Sequence, residues 1–207
     1  MKKQTQRPIK KDAVLVKTAP NMNRLFAFLA DFFIIYLTTN AFVLLYLNLN
    51  GVPASEGLNI ALLSSQQRII VSLGAIAIAL FYTIAIPLLI MRATRRGQTL
   101  GKRFLGIRVI AQNGSNVTFK HLFVREFLVV ILLEGSISYA SSFVQAIMME
   151  TPLAVLVTPL ATFYLLMTIS SIGLMFLHPS HRMLHDYLAK TVVVLFDQNK
   201  PLPKGTL

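Results

Sequence analysis

Arg24-Leu-Phe-Ala-Phe-Leu-Ala-Asp31 runs without a break into the apolar stretch Phe32 to Leu47, and the fold turns on how this segment is read. Seven residues on a helix is close to two turns, so Arg24 and Asp31 share a face. Asp31 then lies about one turn inside the apolar run. A carboxylate at that depth costs roughly 2.5–3.5 kcal/mol on insertion scales, and acids that persist there pair or line a polar path. Asp31 is therefore either half of a structural ion pair, a residue reaching back to the headgroups, or part of a polar route.

Composition points the same way. The chain has 207 residues, 55% hydrophobic, and a mean hydropathy of +0.63. A soluble domain of this size has too little polar surface for so much apolar material, so an integral membrane protein is expected. There is no cysteine, which removes disulfides and thiolate metal sites. The net charge of +12 does not call for nucleic acid. The basic residues flank apolar runs, as anionic lipid and membrane orientation require. The long basic leader and the length of the first apolar run do not fit a signal peptide.

The predicted organisation is an all-α membrane protein with four transmembrane helices and a small β-layer. Residues 1–20 form a basic segment containing Lys2, Lys3, Arg7, Lys10, Lys11 and Lys17, with one short strand over 13–17. The membrane domain covers 21–196, with spans at about 25–47, 69–91, 122–142 and 153–177, and 197–207 is a tail. Each span is near the ~20 residues that cross ~30 Å of hydrocarbon. An asparagine of 21–23 is expected to cap the first helix. Pro87 should bend the second, and the third span, which carries Glu134, is the least apolar. All of the 20 Lys and Arg except Arg68 lie in the N-terminal segment and first-helix start, the 92–125 connector and the C-terminal segment. This asymmetry places both termini and the connector in the cytoplasm, with the protein a multi-pass protein of the cell membrane.

The connector Gly97-Gln-Thr-Leu-Gly101-Lys-Arg-Phe-Leu-Gly106-Ile-Arg108 begins at a helix-stopping glycine. Leu100, Phe104 and Leu105 oppose Lys102, Arg103 and Arg108, the pattern of an interfacial helix. With Arg95, Arg96 and Arg182 these cations make a predicted cytoplasmic surface for anionic headgroups. Asn113-Gly114 between apolar runs predicts a hairpin over 107–119 that pairs with 191–196. The glycines do not make a phosphate loop, because no Gly-Lys-Ser/Thr follows.

After the last span comes His178-Pro-Ser-His-Arg182-Met-Leu-His185-Asp186. Three histidines in eight residues resemble a metal set, but Pro179 breaks the helix that would make them converge, so no metal and no cofactor is expected. Asp186 returns to the side of Arg24 and can pair with it or with the connector's arginines. Arg182, four residues before it, is the local alternative.

Three motifs together resemble the RDD family of small bacterial membrane proteins, named for one arginine and two aspartates. They are Arg24-Leu-x-Ala27-x-x-x-Asp31, Gly97-Gln-Thr-Leu-Gly101-Lys-Arg-x-x-Gly106-x-Arg108-Val, and Arg182-x-Leu-His185-Asp186-x-x-Ala-x-Thr191-Val-Val. By this resemblance the naming residues map to Arg24, Asp31 and Asp186. The sequence departs from the family's pattern at Met22 and Asn23, and at Lys190, where glycine is common. The resemblance implies a role in transport, some similar proteins being linked to sodium/proton antiport.

The residues support that function through Asp31 and Glu134, acids that hold either a proton or a monovalent cation, the minimum chemistry of an antiporter. With Arg24 and Asp186 they form the expected coupling or structural network. Four helices without an internal repeat is small for alternating access, and a homo-oligomer would widen the pathway. The alternative is a non-transporting membrane adaptor or assembly factor, whose basic face binds a protein partner or anionic lipid. An enzyme is not expected, since no nucleophile–base pair or metal motif is present.

Overall fold

Pro20 fixes where the first helix starts. Its φ of −56° and ψ of 146° hold the chain extended, and α1 (Asn21–Leu49) begins at the next residue. No side chain caps it. Asn23, an expected cap, instead donates to the Leu105 carbonyl at 3.2 Å, tying α1 to the connector. The computed structural model of the chain describes residues 18–53, 55, 58–91, 95–178 and 181–196. The predicted basic leader and strand over 13–17 and the 197–207 tail lie outside the described residues.

α2 (Ser65–Leu80) opens with Ser64 and Gln67 exchanging side-chain and backbone hydrogen bonds, a capping box that satisfies two free donors. It continues as a π-helix, Phe81–Ile90. Pro87 sits in this wider stretch, where one fewer N–H and a ring can be carried without a sharp break.

The single helix expected over 122–142 is corrected. The chain forms α4 (Phe119–Leu122), continues as a π-helix to Ile131, turns at 132–134, makes a 3₁₀ turn at Gly135–Ile137 and resumes as α5 (Tyr139–Met149). Glu134-Gly-Ser-Ile-Ser138 explains the break. Glycine and serine favour turns over helix interiors, and the freed carbonyls find donors. Ser141 donates to the Gly135 carbonyl at 2.5 Å and Thr168 to that of Glu134 at 3.0 Å. Gly135 is required there, because an added Cβ would lie 2.3 Å from the Tyr164 ring. The last long helix is a 3₁₀ turn at Pro152–Leu156 followed by α6 (Val157–Leu177).

Three helices are long and apolar enough to cross a membrane: Asn21–Leu49, Ser65–Ile90 and Pro152–Leu177. The broken segment 119–149 runs antiparallel along the second. Leu122 and Phe123 cluster with Ile84 and Leu88, Ile131 with Ala79, and Phe143 with Val71 and Ala75. At one end of the bundle Arg68 reaches Glu150 at 2.7 Å. At the other end lie the connector and the sheet.

That sheet has two antiparallel strands, β1 (Ile107–Ala111) and β2 (Thr191–Leu195), with Val109 opposite Val193. Thr18 adds one bridge to Val194. The expected hairpin is present only as its turn. Gly114 N–H donates to the Ala111 carbonyl at 2.9 Å, and one bridge joins Ile110 to Asn116. The return arm then leaves the sheet, because Val117 is drawn into the core with Ile107, Ile84 and Leu122. Between π-helix and sheet sits α3 (Leu100–Phe104), and after α6 comes α7 (Leu184–Leu188).

Candidate functional site

Arg24 and Asp31 share a face of α1, yet each is held by a different element. Asp31 is taken by the connector. Its Oδ1 accepts from the Tyr82 hydroxyl at 2.5 Å and the Gly101 N–H at 2.9 Å, and its Oδ2 from the Thr99 hydroxyl at 2.5 Å. Lys102 Nζ stands 3.3 Å from Oδ2 as counter-charge. The motif Gly97-Gln-Thr-Leu-Gly-Lys is thus a carboxylate cradle. Thr99 caps α3, Gly101 lets α3 approach α1 closely, and Gln98 secures β1 by donating to the Ile107 carbonyl at 2.8 Å. A Cβ on Gly101 would lie 2.6 Å from both the Ala27 carbonyl and Asp31 Oδ1.

Arg24 is taken by α7. Its Nη2 meets Asp186 Oδ2 at 2.5 Å, and its Nη1 donates to the His181 carbonyl. Asp186 is fully buried and also accepts from Arg125 Nε at 3.2 Å and the Thr191 hydroxyl at 3.3 Å. Burial alone would raise its pKa, but its charged neighbours, Arg125 first, outweigh it and hold the carboxyl well below the usual carboxylate range. Arg182, the local candidate partner, donates to the Asp186 backbone carbonyl at 2.9 Å and lies over the Tyr187 ring at 4.4 Å.

The network continues past Asp186. Arg125 Nη1 bonds Glu126 at 2.7 Å, and its Nη2 lies 3.1 Å from His185 Nε2. His185 Nδ1 is 2.8 Å from Glu134 Oε2, and Glu134 Oε1 accepts from Ser171 at 2.6 Å and the His185 N–H at 3.2 Å. Glu134, expected with Asp31 as an intramembrane acid, is fully buried and bonded to α6 and α7. The three neighbouring histidines do not converge. His178 Nδ1 faces the Tyr187 hydroxyl, His181 Nδ1 the Met175 carbonyl and His185 Nδ1 Glu134.

Of the predicted basic surface, Arg96 and Arg103 are exposed, Arg95 and Lys102 are half-buried, and Arg108 and Arg182 are buried. Arg108 lies under the Phe196 ring at 5.3 Å. Sequence reading missed Arg125, Glu126, Tyr82 and the pairing role of His185. The sequence signal was present in Arg125-Glu126, adjacent charges in a segment otherwise read as a membrane span.

A cavity of about 270 Å³ is lined by Asp31 and Lys102 and by Arg24, Arg125 and His185, the partners of Asp186 and Glu134. Its charged wall is Arg24, Asp31, Lys102, Arg125, Glu126 and His185, and its apolar wall includes Phe28, Phe32 and Ile35 of α1 with Ile172 and Phe176 of α6. Tyr139, at its edge, donates to Asn40 Oδ1 at 2.7 Å. Beyond it Asn40 Nδ2, Thr39 Oγ1 and Ser72 Oγ are buried without a hydrogen-bond partner.

Long apolar helices pinned by buried arginine–aspartate contacts, with charged groups facing an internal cavity, define a membrane protein. The family comparison is specific. The RDD family model matches residues 18–190, and the chain belongs to that family. No curated protein and no solved structure matches the chain.

Proposed function

We propose that this protein exchanges protons for a monovalent cation across the bacterial plasma membrane, with the interhelical cavity as its binding chamber. The observation that carries this reading is that Asp31, Glu126 and His185 face one and the same cavity. Acids with compensating Arg and Lys neighbours in an apolar setting are where proton and cation compete. The unpartnered polar atoms of Thr39, Asn40 and Ser72 support a polar route continuing toward the far end, since buried polar atoms without protein partners are sites for water or ions. In this reading the segment 119–149 is a fourth, broken crossing, both termini are cytoplasmic, and 119–149 supplies the irregular backbone that lines a cavity.

A second reading is favoured by one observation. Asp186 has no exposed surface and is bonded to Arg24, Arg125 and Thr191, so Arg24 and Asp186 form a clasp that fixes the fold. In an adaptor or assembly factor that clasp would present the exposed Arg96 and Arg103 to a protein partner or anionic lipid.

Proteoliposomes separate the two. With a pH-sensitive dye inside, sodium, lithium or potassium gradients are expected to drive proton movement in the wild type, and Asp31→Asn and Glu134→Gln to abolish it in folded protein. No movement with any cation, from protein shown to be folded, would favour the adaptor.

A further inference from the structure

His185 is placed between two groups that fix its protonation. Arg125 Nη2 carries only donors, so at 3.1 Å it requires His185 Nε2 to be an unprotonated acceptor. Nδ1, 2.8 Å from Glu134 Oε2, then carries the proton. These two contacts fit the neutral Nδ1–H tautomer, with the Nε2 lone pair turned to Arg125. His185 and Arg125 both line the cavity.

The surrounding charges balance around this ring. Arg125 and Glu126 face it from the π-helix, Glu134 from the break, Asp186 from its own helix with Oδ1 3.9 Å from Nε2. Arg24 approaches through Asp186, and Arg182 holds the Asp186 carbonyl. The three arginines and three acids cancel, so His185 decides whether the cluster is neutral or carries one positive charge. Histidine is the side-chain type suited to change charge near neutral pH.

We propose that His185 is the exchangeable-proton site of this protein, and that uptake of a proton at Nε2 releases Arg125 from the ring. This deepens the transport reading and rests on it for its functional consequence. A proton from cavity water forms the Nε2–H bond, and the Arg125 Nη2–H contact to that lone pair is lost. Arg125 keeps its bonds to Asp186 and Glu126, and the new N–H faces Asp186 Oδ1. The cluster's added positive charge then repels a cation held at Asp31 or Glu126, which makes proton and cation binding antagonistic.

The test is imidazole ¹⁵N NMR of the full-length protein in lipid nanodiscs, with His185 assigned by His185→Gln. That substitution retains an acceptor toward Arg125 and holds no titratable proton. The expected result is an Nδ1–H tautomer in alkali, Nε2 protonation in acid, and an Arg125 Nε–H signal that moves with it in the wild type and stays fixed in His185→Gln. An Nε2–H tautomer in alkali, a ring that stays neutral down to about pH 4.5, or an Arg125 signal indifferent to the ring would overturn the site. In proteoliposomes wild-type flux should change several-fold between about pH 5 and 8, and cation-driven proton movement should be lost in His185→Gln and His185→Asn. A variant that keeps the wild-type profile would overturn the coupling role. Absence of flux in the wild type would sink the transport reading, and the NMR result would still decide the proton site.

Discussion

At the scale of single residues, Asp186 and Arg125 stand out among the buried charges because each holds more than one charged partner. Asp186 neutralises two guanidinium groups from different elements. Removing its charge while keeping its shape leaves both buried cations uncompensated, which typically costs about 3–5 kcal/mol. Asp186→Asn is therefore expected to lower the unfolding midpoint in detergent far more than Glu150→Gln, whose partner Arg68 is partly exposed. Equal effects would mean the clasp is not the stabilising contact. The pH dependence has a definite sign. The folded carboxyl is depressed below its unfolded value, so its contribution is present above about pH 4 and is lost as pH falls toward the folded pKa. Acid destabilisation of the wild type below about pH 4 should shrink in Asp186→Asn. An unchanged acid limb would assign it to other carboxylates.

At the scale of elements, two residues report on how the connector and α7 are held. Gly101→Ala would push a methyl into the Ala27 carbonyl and Asp31, both fixed in position, at a cost of about 1–3 kcal/mol. Gly173→Ala meets nothing within 4 Å and is the matched control. Thermal unfolding should separate the two, and similar midpoints would show that α3 can withdraw from α1 freely. Lys190 ends α7 with a φ of +53°, the left-handed region where a side chain is penalised and glycine is not. Lys190→Gly is expected to raise stability by up to about 1 kcal/mol in the same assay, the glycine's unfolded-state entropy offsetting the rest. A loss of stability would show that the lysine side chain contributes a contact worth more than the strain.

These elements also show what was legible in advance. The apolar runs gave α1, α2 and α6 closely, because length and hydropathy are local properties. The strand composition of 191–195 and 107–111 was equally readable. The break at Glu134-Gly-Ser was not, although its residues favour turns. What breaks the helix there is Gly135 against Tyr164 and Ser171 and His185 binding Glu134, partners distant in sequence. The same holds for the site. The spacing of Arg24 and Asp31 was visible, but not that α7 takes one and α3 the other.

At the scale of the whole molecule, the two ends of the bundle differ chemically, and the proposed orientation follows. Arg68, Glu150, Asn50 and Gln67 meet at one end. Arg24, Lys102, Asp186 and the sheet gather at the other. Contacts of this kind tie Asn50 and Arg68 to Glu150 at one end of the bundle, the arrangement that the proposed fourth crossing by segment 119–149 needs. The chain has no cysteine, so single substitutions report cleanly. In right-side-out cells Ser55→Cys and Met149→Cys, the latter 61% exposed, are expected to react with an impermeant maleimide from outside. Asn113→Cys, in the turn after β1, should react only once the membrane is opened. Labelling of Met149→Cys and Ser55→Cys from opposite sides would remove the fourth crossing. Labelling of both from the cytoplasm alone would invert the molecule, and the positive charges clustered around the sheet would then face outward against the direction in which Lys and Arg retain loops.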